Sequence, residues 1–182
     1  MKFDQTKKVL EEFAREVVKE AKKNLKKKQR RKGGKSYKID ASGRLSKSLK
    51  SNVNVEENLF QLNFEMEGYG QYQDAGVDGK KTKYGKRLYG LPTFSYKSKM
   101  PPPKSLDKWV VRKGLKGIRD AKGRFTQRQT LTFLIARSIF QTGIMPTYFF
   151  TNAFESAYRK LPKEFIDKYE LDIDNFLKFT TT

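Results

Sequence analysis

From Val53 to Met66 the chain places apolar side chains on every second position, and that alternation limits its architecture more than any other feature. Val53 and Val55 alternate with asparagines, Phe60, Leu62, Phe64 and Met66 alternate with polar residues, and Glu56, Glu57 and Asn58 fall between the two runs. A period of two is the pleat of a strand, so the stretch predicts a β-hairpin with one buried face and one acidic, solvated face.

Most of the remaining pattern is helical. Leu10, Phe13, Val17, Ala21 and Leu25 recur at three- and four-residue spacing and predict one long amphipathic helix. Asp4 is its expected N-cap, and no glycine or proline interrupts it before Gly33 and Gly34. "SYKID" reads as a short strand with Tyr37 and Ile39 on one face, and Leu45 and Leu49 mark a helical turn in "ASGRLSKSLKS". "PPPKSLDKWVVRKGL" predicts a proline-led helix with Leu106, Trp109 and Val110 inward. A further helix runs from an expected cap at Thr126 to Gly143, with Leu131, Leu134, Ile135, Ser138 and Ile139 on its apolar side. Another helix follows Pro146, and Pro162 separates it from a last one over 163–179. Residues 77–101, rich in glycine, lysine and tyrosine, read as a long loop, of a kind usually functional or disordered. At 182 residues the chain is expected to form one domain with elaborations.

The chain contains neither histidine nor cysteine, which removes Ser-His-Asp and Cys-His catalytic designs, thiolate metal sites and disulfides. The expectation is a protein without catalytic chemistry and without a cofactor. A magnesium-dependent nuclease built on Glu65, Glu67, Asp74 and Asp78 is the enzymatic alternative, although Glu65 and Glu67 have the spacing of an ordinary solvated strand face. No apolar run reaches the roughly 18–20 residues that span a bilayer, and "MKFDQTKKVLEEF" lacks the apolar core of a signal peptide, so a soluble protein kept inside a cell is expected.

The net charge of +20 is segregated. Residues 19–50 carry fourteen Lys/Arg against Glu20 and Asp40, residues 51–79 carry six carboxylates and no cation, and residues 80–128 carry sixteen Lys/Arg against Asp107 and Asp120. Two basic blocks flanking an acidic one favour a polyanionic neighbour.

Three phrases in fixed order carry the remaining information: Ser42-Gly43-Arg44-Leu45 through Ser48-Leu49; Tyr69, Tyr72, Asp74 and Gly76; and Gly143, Pro146, Phe149, Phe150 and Ala153. Their order, behind a lysine-rich first helix, resembles the neck proteins of tailed bacteriophages, the head–tail connector or tail-completion family. The resemblance covers roughly residues 5–160. It departs from many members by one residue in the acid-to-glycine spacing of the second phrase, and from the shortest members by the extra segment from about Gly79 to Phe125.

The resemblance implies an α+β fold, a small antiparallel β-sheet packed by a long N-terminal helix and C-terminal helices. A single domain over 1–182 would carry a long basic loop insertion at about 79–125 and a C-terminal helical extension at about 163–182. It implies a structural virion protein, assembled in the host bacterial cytoplasm. Its homo-oligomeric ring would join the portal or adaptor of the head to the terminator or tube proteins of the tail and line the DNA channel. A tail-terminator or minor tail protein of similar fold, and a non-sequence-specific nucleic-acid-binding protein, are the alternatives.

Backbone contact with passing double-stranded DNA is expected from Lys26, Lys27, Lys28, Arg30 and Arg31, or from Lys80, Lys81, Lys83, Lys86 and Arg87. Tyr69, Tyr72, Phe149 and Phe150 are candidates for packing between subunits, with core placement the competing role. Residues 79–90 are expected to order only on a neighbour or on DNA.

Overall fold

The structure, a computed structural model, describes residues 3–30, 36–40, 42–56, 59–84, 93–112, 115 and 123–180. The fold is α+β with a long N-terminal helix, and the chain divides into two compact units, Met1–Gly70 with Thr147–Thr182, and Gln71–Pro146. The second of these units carries its own sheet and helices.

In the first unit, α1 (Asp4–Lys26) buries Leu10, Phe13, Val17, Ala21 and Leu25, the stripe read from the sequence. The helix stops well short of Gly33. Lys27 turns to extended backbone, and β1 (Lys28–Arg30) pairs antiparallel with β2 (Ser36–Lys38). The reason is visible in the stripe: after Leu25 no apolar residue remains to bury, and unsupported helical turns of like charge repel. Asp4 is the first helical residue and not the cap. The free N–H groups at this end are satisfied from far along the chain, by Asp172.

The alternating run forms β3 (Lys50–Glu56) and β4 (Leu59–Glu65), paired antiparallel with Val53 opposite Leu62 and Val55 opposite Phe60. A two-stranded hairpin is at best marginal in water, and here its apolar side chains join a helical layer. Leu62 and Phe64 pack with Phe13, Val17 and Ala157, and Phe64 meets Phe150 edge-on at 5.2 Å. Alongside lies a second cluster of Ala21, Leu25, Leu45, Leu49, Phe149 and Ala153, contributed by α1, by the short α2 (Arg44–Ser48) with the leucine that follows it, and by α6 (Phe149–Tyr158). Each fully buried leucine there contributes about 1.5–3 kcal/mol.

The last helix, α7 (Leu161–Thr180), starts one residue before Pro162, which occupies a first-turn position where no N–H is required. It is more than an extension. Phe165 and Tyr169 stack on each other, both meet Phe60 edge-on, and Tyr169 stacks on Phe3 at 5.7 Å. Farther along α7, Asp172 is 5 % exposed, and its carboxylate accepts hydrogen bonds from the Gln5 N–H (3.3 Å), the Thr6 N–H (2.9 Å) and the Thr6 hydroxyl (2.7 Å). An anion thus sits on the N-terminal turn of α1, where unsatisfied donors and the helix dipole both favour it.

The second unit is built on a small sheet. Its central strand, β5 (Val77–Asp78), follows α3 (Gly70–Ala75). It pairs parallel with β6 (Phe94–Ser95) and antiparallel with β7 (Gly143–Ile144). A 3₁₀ turn at Pro103–Leu106 leads into α4 (Asp107–Arg112), with Val110 buried and Leu106 and Trp109 half-buried, as expected. The helix α5 (Arg128–Thr142) begins after Gln127, not Thr126, and no side chain caps it. Its buried residues are Leu131, Thr132 and Ala136, whereas Leu134 and Ser138, placed inward from the sequence, are exposed.

The stretch read as one long loop, 77–101, therefore contains two paired strands, and only its portion at 85–92 lies outside the described residues.

Candidate nucleic-acid interface

The three phrases singled out in the sequence occupy positions that hold the chain in place. In the first unit, Arg44 pairs with Glu67 at 3.0 Å, and the Ser48 hydroxyl donates to the Leu45 carbonyl while accepting from the Glu67 N–H. Leu45 and Leu49 fill the core beneath. These contacts tie the first phrase to the start of the second. They frame a shallow surface groove of about 550 Å³ with Lys47, Lys50 and Glu65 on its walls.

Tyr69 sits beside this cluster, 43 % exposed. Partial burial raises its pKa above the ordinary phenol value, Asp40 and Glu67 push it further up, and Arg44 opposes them. A raised phenol pKa means that the folded state holds the proton more tightly than the unfolded chain. This contribution to stability is therefore complete below pH 10 and is lost as pH rises through the folded value. In a spectrophotometric titration Tyr69, identified by loss of its signal in Tyr69→Phe, should ionise later than a free tyrosine. Arg44→Gln should delay it further; an earlier ionisation would contradict this account.

In the second unit the other halves of the phrases meet. Gly76 faces the Ile144–Pro146 segment so closely that a side chain there would stand 2.7 Å from the Pro146 nitrogen and 2.8 Å from the Ile144 carbonyl. Two stretches seventy positions apart in sequence pack backbone to backbone. The third phrase continues into the first unit. Tyr148 takes a left-handed conformation (φ 50°), and Phe149 enters the core, its carbonyl accepting from the Asn24 side chain at 3.0 Å.

The candidates for subunit packing thus separate. Phe149 is 1 % exposed and belongs to the core; Phe150 is half-buried against the same clusters. Tyr69 and Tyr72 remain at the surface, and Tyr72 contacts Phe94 at 4.5 Å.

The acidic block is far less acidic at the surface than in sequence. Asp74 and Asp78 are 5 % and 7 % exposed, Asp78 accepts from the Tyr84 N–H, and Glu67 is engaged by Arg44, leaving Glu56 and Glu65 exposed among the described carboxylates of that block. Glu65 and Glu67 belong to the first unit, Asp74 and Asp78 to the second, and among the described residues no three His, Cys, Asp or Glu side chains are placed to hold a metal ion.

The basic blocks are also redistributed. Lys26 ends α1, Lys27 follows it and donates to Asn24, Lys28 and Arg30 lie in β1, and Arg31 is outside the described residues. Among the described residues of this set only Lys26 lies within α1.

Lys80, Lys81 and Lys83 are exposed on an ordered segment; Lys86 and Arg87 lie outside the described residues. Backbone N–H groups of Lys80 and Lys81 donate to the Phe140 and Gln141 carbonyls at 3.0 and 2.9 Å, closing the free C-terminal end of α5, and the Tyr84 hydroxyl donates to the Thr142 carbonyl. The first six residues of the stretch expected to order only on a partner, 79–84, are thus held within the chain itself.

Sequence reasoning missed Lys97 and Lys99, because it found no strand at Phe94. Since β5 and β6 run parallel, the segments that follow them leave the same end of the sheet, and the Tyr96 N–H donates to the Asp78 carbonyl.

Among the described residues no helix is long and apolar enough to cross a membrane. In comparisons with known proteins, no family model, no curated protein and no solved structure matches this chain.

Proposed function

We propose that this chain is a structural subunit of the neck of a tailed bacteriophage. Copies of it would form a ring that joins the portal or adaptor of the head to the terminator or tube proteins of the tail, around the DNA channel. The observation that carries the reading is that each phrase of the resemblance has a structural task. Arg44 and Ser48 fasten the segment before Tyr69, Gly76 admits the backbone near Pro146, and Phe149 plugs the core. A conduit requires shape, contacts between copies and tolerance of a moving polyanion. Surface Tyr69 and Tyr72 remain available for contacts between copies.

The test is cryo-electron microscopy of particles from a phage encoding this chain. Density for the subunit between head and tail is the expected result, and particles complete at the neck but lacking the chain would overturn the reading.

The uncompensated charge of the second unit favours one competing role, a non-sequence-specific nucleic-acid-binding protein acting away from the particle. That role requires tight duplex binding by isolated monomer together with absence from virions.

A further inference from the structure

We infer that the end of the β6–β5–β7 sheet bearing Lys80, Lys81, Lys83, Lys97 and Lys99 is where this chain grips the phosphate backbone of double-stranded DNA. The segment Gln71–Pro146 holds seventeen Lys/Arg against four Asp, a net +13 of the chain's +20. Each of its eleven described cations is exposed. Of its three described acids, Asp74 and Asp78 are buried, and Asp107 is gripped by the Arg128 guanidinium at 2.7 Å. The described carboxylates of the unit can therefore neutralise at most three of the eleven.

Topology concentrates this excess. Parallel pairing of β5 and β6 sends residues 79–84 and 96–99 out of the same end of the sheet, and the antiparallel β7 starts there, directly after α5. The negative end of the α5 dipole accounts for a lysine beside it. It does not account for five from two segments, with the acid of that strand, Asp78, turned inward. Hydrogen bonds from Lys80 and Lys81 to α5 fix the first segment, so little ordering entropy opposes binding.

The chemistry selects phosphate over an acidic protein. The exposed residues of the two segments are lysines and Ser98, with no exposed apolar side chain among them. The exposed apolar residues of this unit, such as Val111, Phe125 and Phe133, belong to other segments. Protein interfaces are depleted in lysine and enriched in aromatics and arginine. Lysine point charges without arginine forks position a backbone and read no base.

This inference deepens the proposed function by locating its DNA contact, and rests on that reading only for the choice of duplex DNA among phosphate polymers. The experiment measures binding of the full chain to a short labelled random-sequence duplex across a salt series. Replacing all five lysines with glutamine should flatten the slope of log K against log salt by about 4, since each phosphate contact contributes about 0.9, and should weaken binding about a hundredfold at moderate salt. Removing the same number of charges from α1 and the residue that follows it, at Lys19, Lys22, Lys23, Lys26 and Lys27, should change the slope by less than about 1.

The triple variant at 80, 81 and 83 and the double variant at 97 and 99, each checked for folding by Trp109 fluorescence, should divide the effect between the two segments. An unchanged slope in the five-lysine variant, or loss of slope in the α1 variant instead, would overturn the inference. Polyglutamate displacing the labelled duplex as well as unlabelled duplex does would also overturn it, in favour of an acidic protein partner. A failure here leaves the particle-location test of the neck reading untouched.

Discussion

Replacing Asp172 with alanine is expected to destabilise the first unit by about 2–3 kcal/mol, a large share of what a domain of this size possesses. The magnitude follows from what the carboxylate holds. It accepts from the backbone of Gln5 and Thr6 and from the Thr6 hydroxyl, Thr6 is fully buried, and no nearby side chain caps α1. Alanine would leave those donors without an acceptor in a place water reaches poorly, and would remove the anion from the positive end of a 23-residue helix.

Asp172→Asn retains an acceptor and loses the charge, so its cost should be about half as large. Thr6→Val, which deletes one of the three donors, should cost about 1–2 kcal/mol. Urea unfolding followed by far-UV circular dichroism measures all three. Stability of Asp172→Ala within about 0.5 kcal/mol of the parent would show that the carboxylate does not cap the helix.

Gly143→Ala should cost more, about 3–4 kcal/mol, and should act on the second unit. Gly143 combines φ 74° with ψ −165°, a region that essentially only glycine occupies. It also lies where β7 crosses β5, so a methyl group would overlap the Val77 carbonyl and stand 2.6 Å from the Gly79 nitrogen. Strain and overlap therefore fall on the one position that links the end of α5 to the sheet. Trp109, the single tryptophan, lies half-buried in this unit and reports its unfolding by fluorescence. The transition read by Trp109 should move to much lower urea, whereas helicity lost from the first unit should not move with it. An unchanged Trp109 midpoint would mean that the crossing can be rebuilt with a side chain present.

The parts of the fold legible in the sequence are those fixed by local periodicity. The stripe on α1 and the alternation in β3 and β4 each repeat several times, and both appear at the expected residues. On α5 the apolar residues Leu131, Phe133, Leu134, Ile135, Ile139 and Phe140 surround the helix, so the pattern could not choose a face, and tertiary packing chose Ala136 and Thr132 over Leu134.

β5, β6 and β7 are two residues each and contain no full period to detect. Their pairing rests on contacts distant in sequence, and with it went the proximity of Lys97 and Lys99 to Lys80. The Asp172 cap, 166 residues from Thr6, was invisible for the same reason. Counting formal charge misjudged the acidic block, because burial of Asp74 and Asp78 and the Arg44–Glu67 pair remove from the surface what the sequence shows. The three phrases were found as strings, but their role as fastening points depends on which backbone each one meets.

The interrupted layout of the first unit also sets an order of events at the ribosome. Its leading portion ends at Gly70, while the helices that cover the apolar stripe of α1 begin only at Phe149. The second unit is contiguous and is fully synthesised by Pro146. At a synthesis rate of about 5–20 residues per second, α1 waits on the order of ten seconds between leaving the exit tunnel and meeting α6, and longer before Asp172 closes its first turn. Throughout that interval the part of its row of leucine, valine and phenylalanine that α6 and α7 later cover stays open, while the strongly cationic second unit is still being made. A chaperone that shields apolar helices early in translation should therefore raise the yield of folded chain more than one added after release.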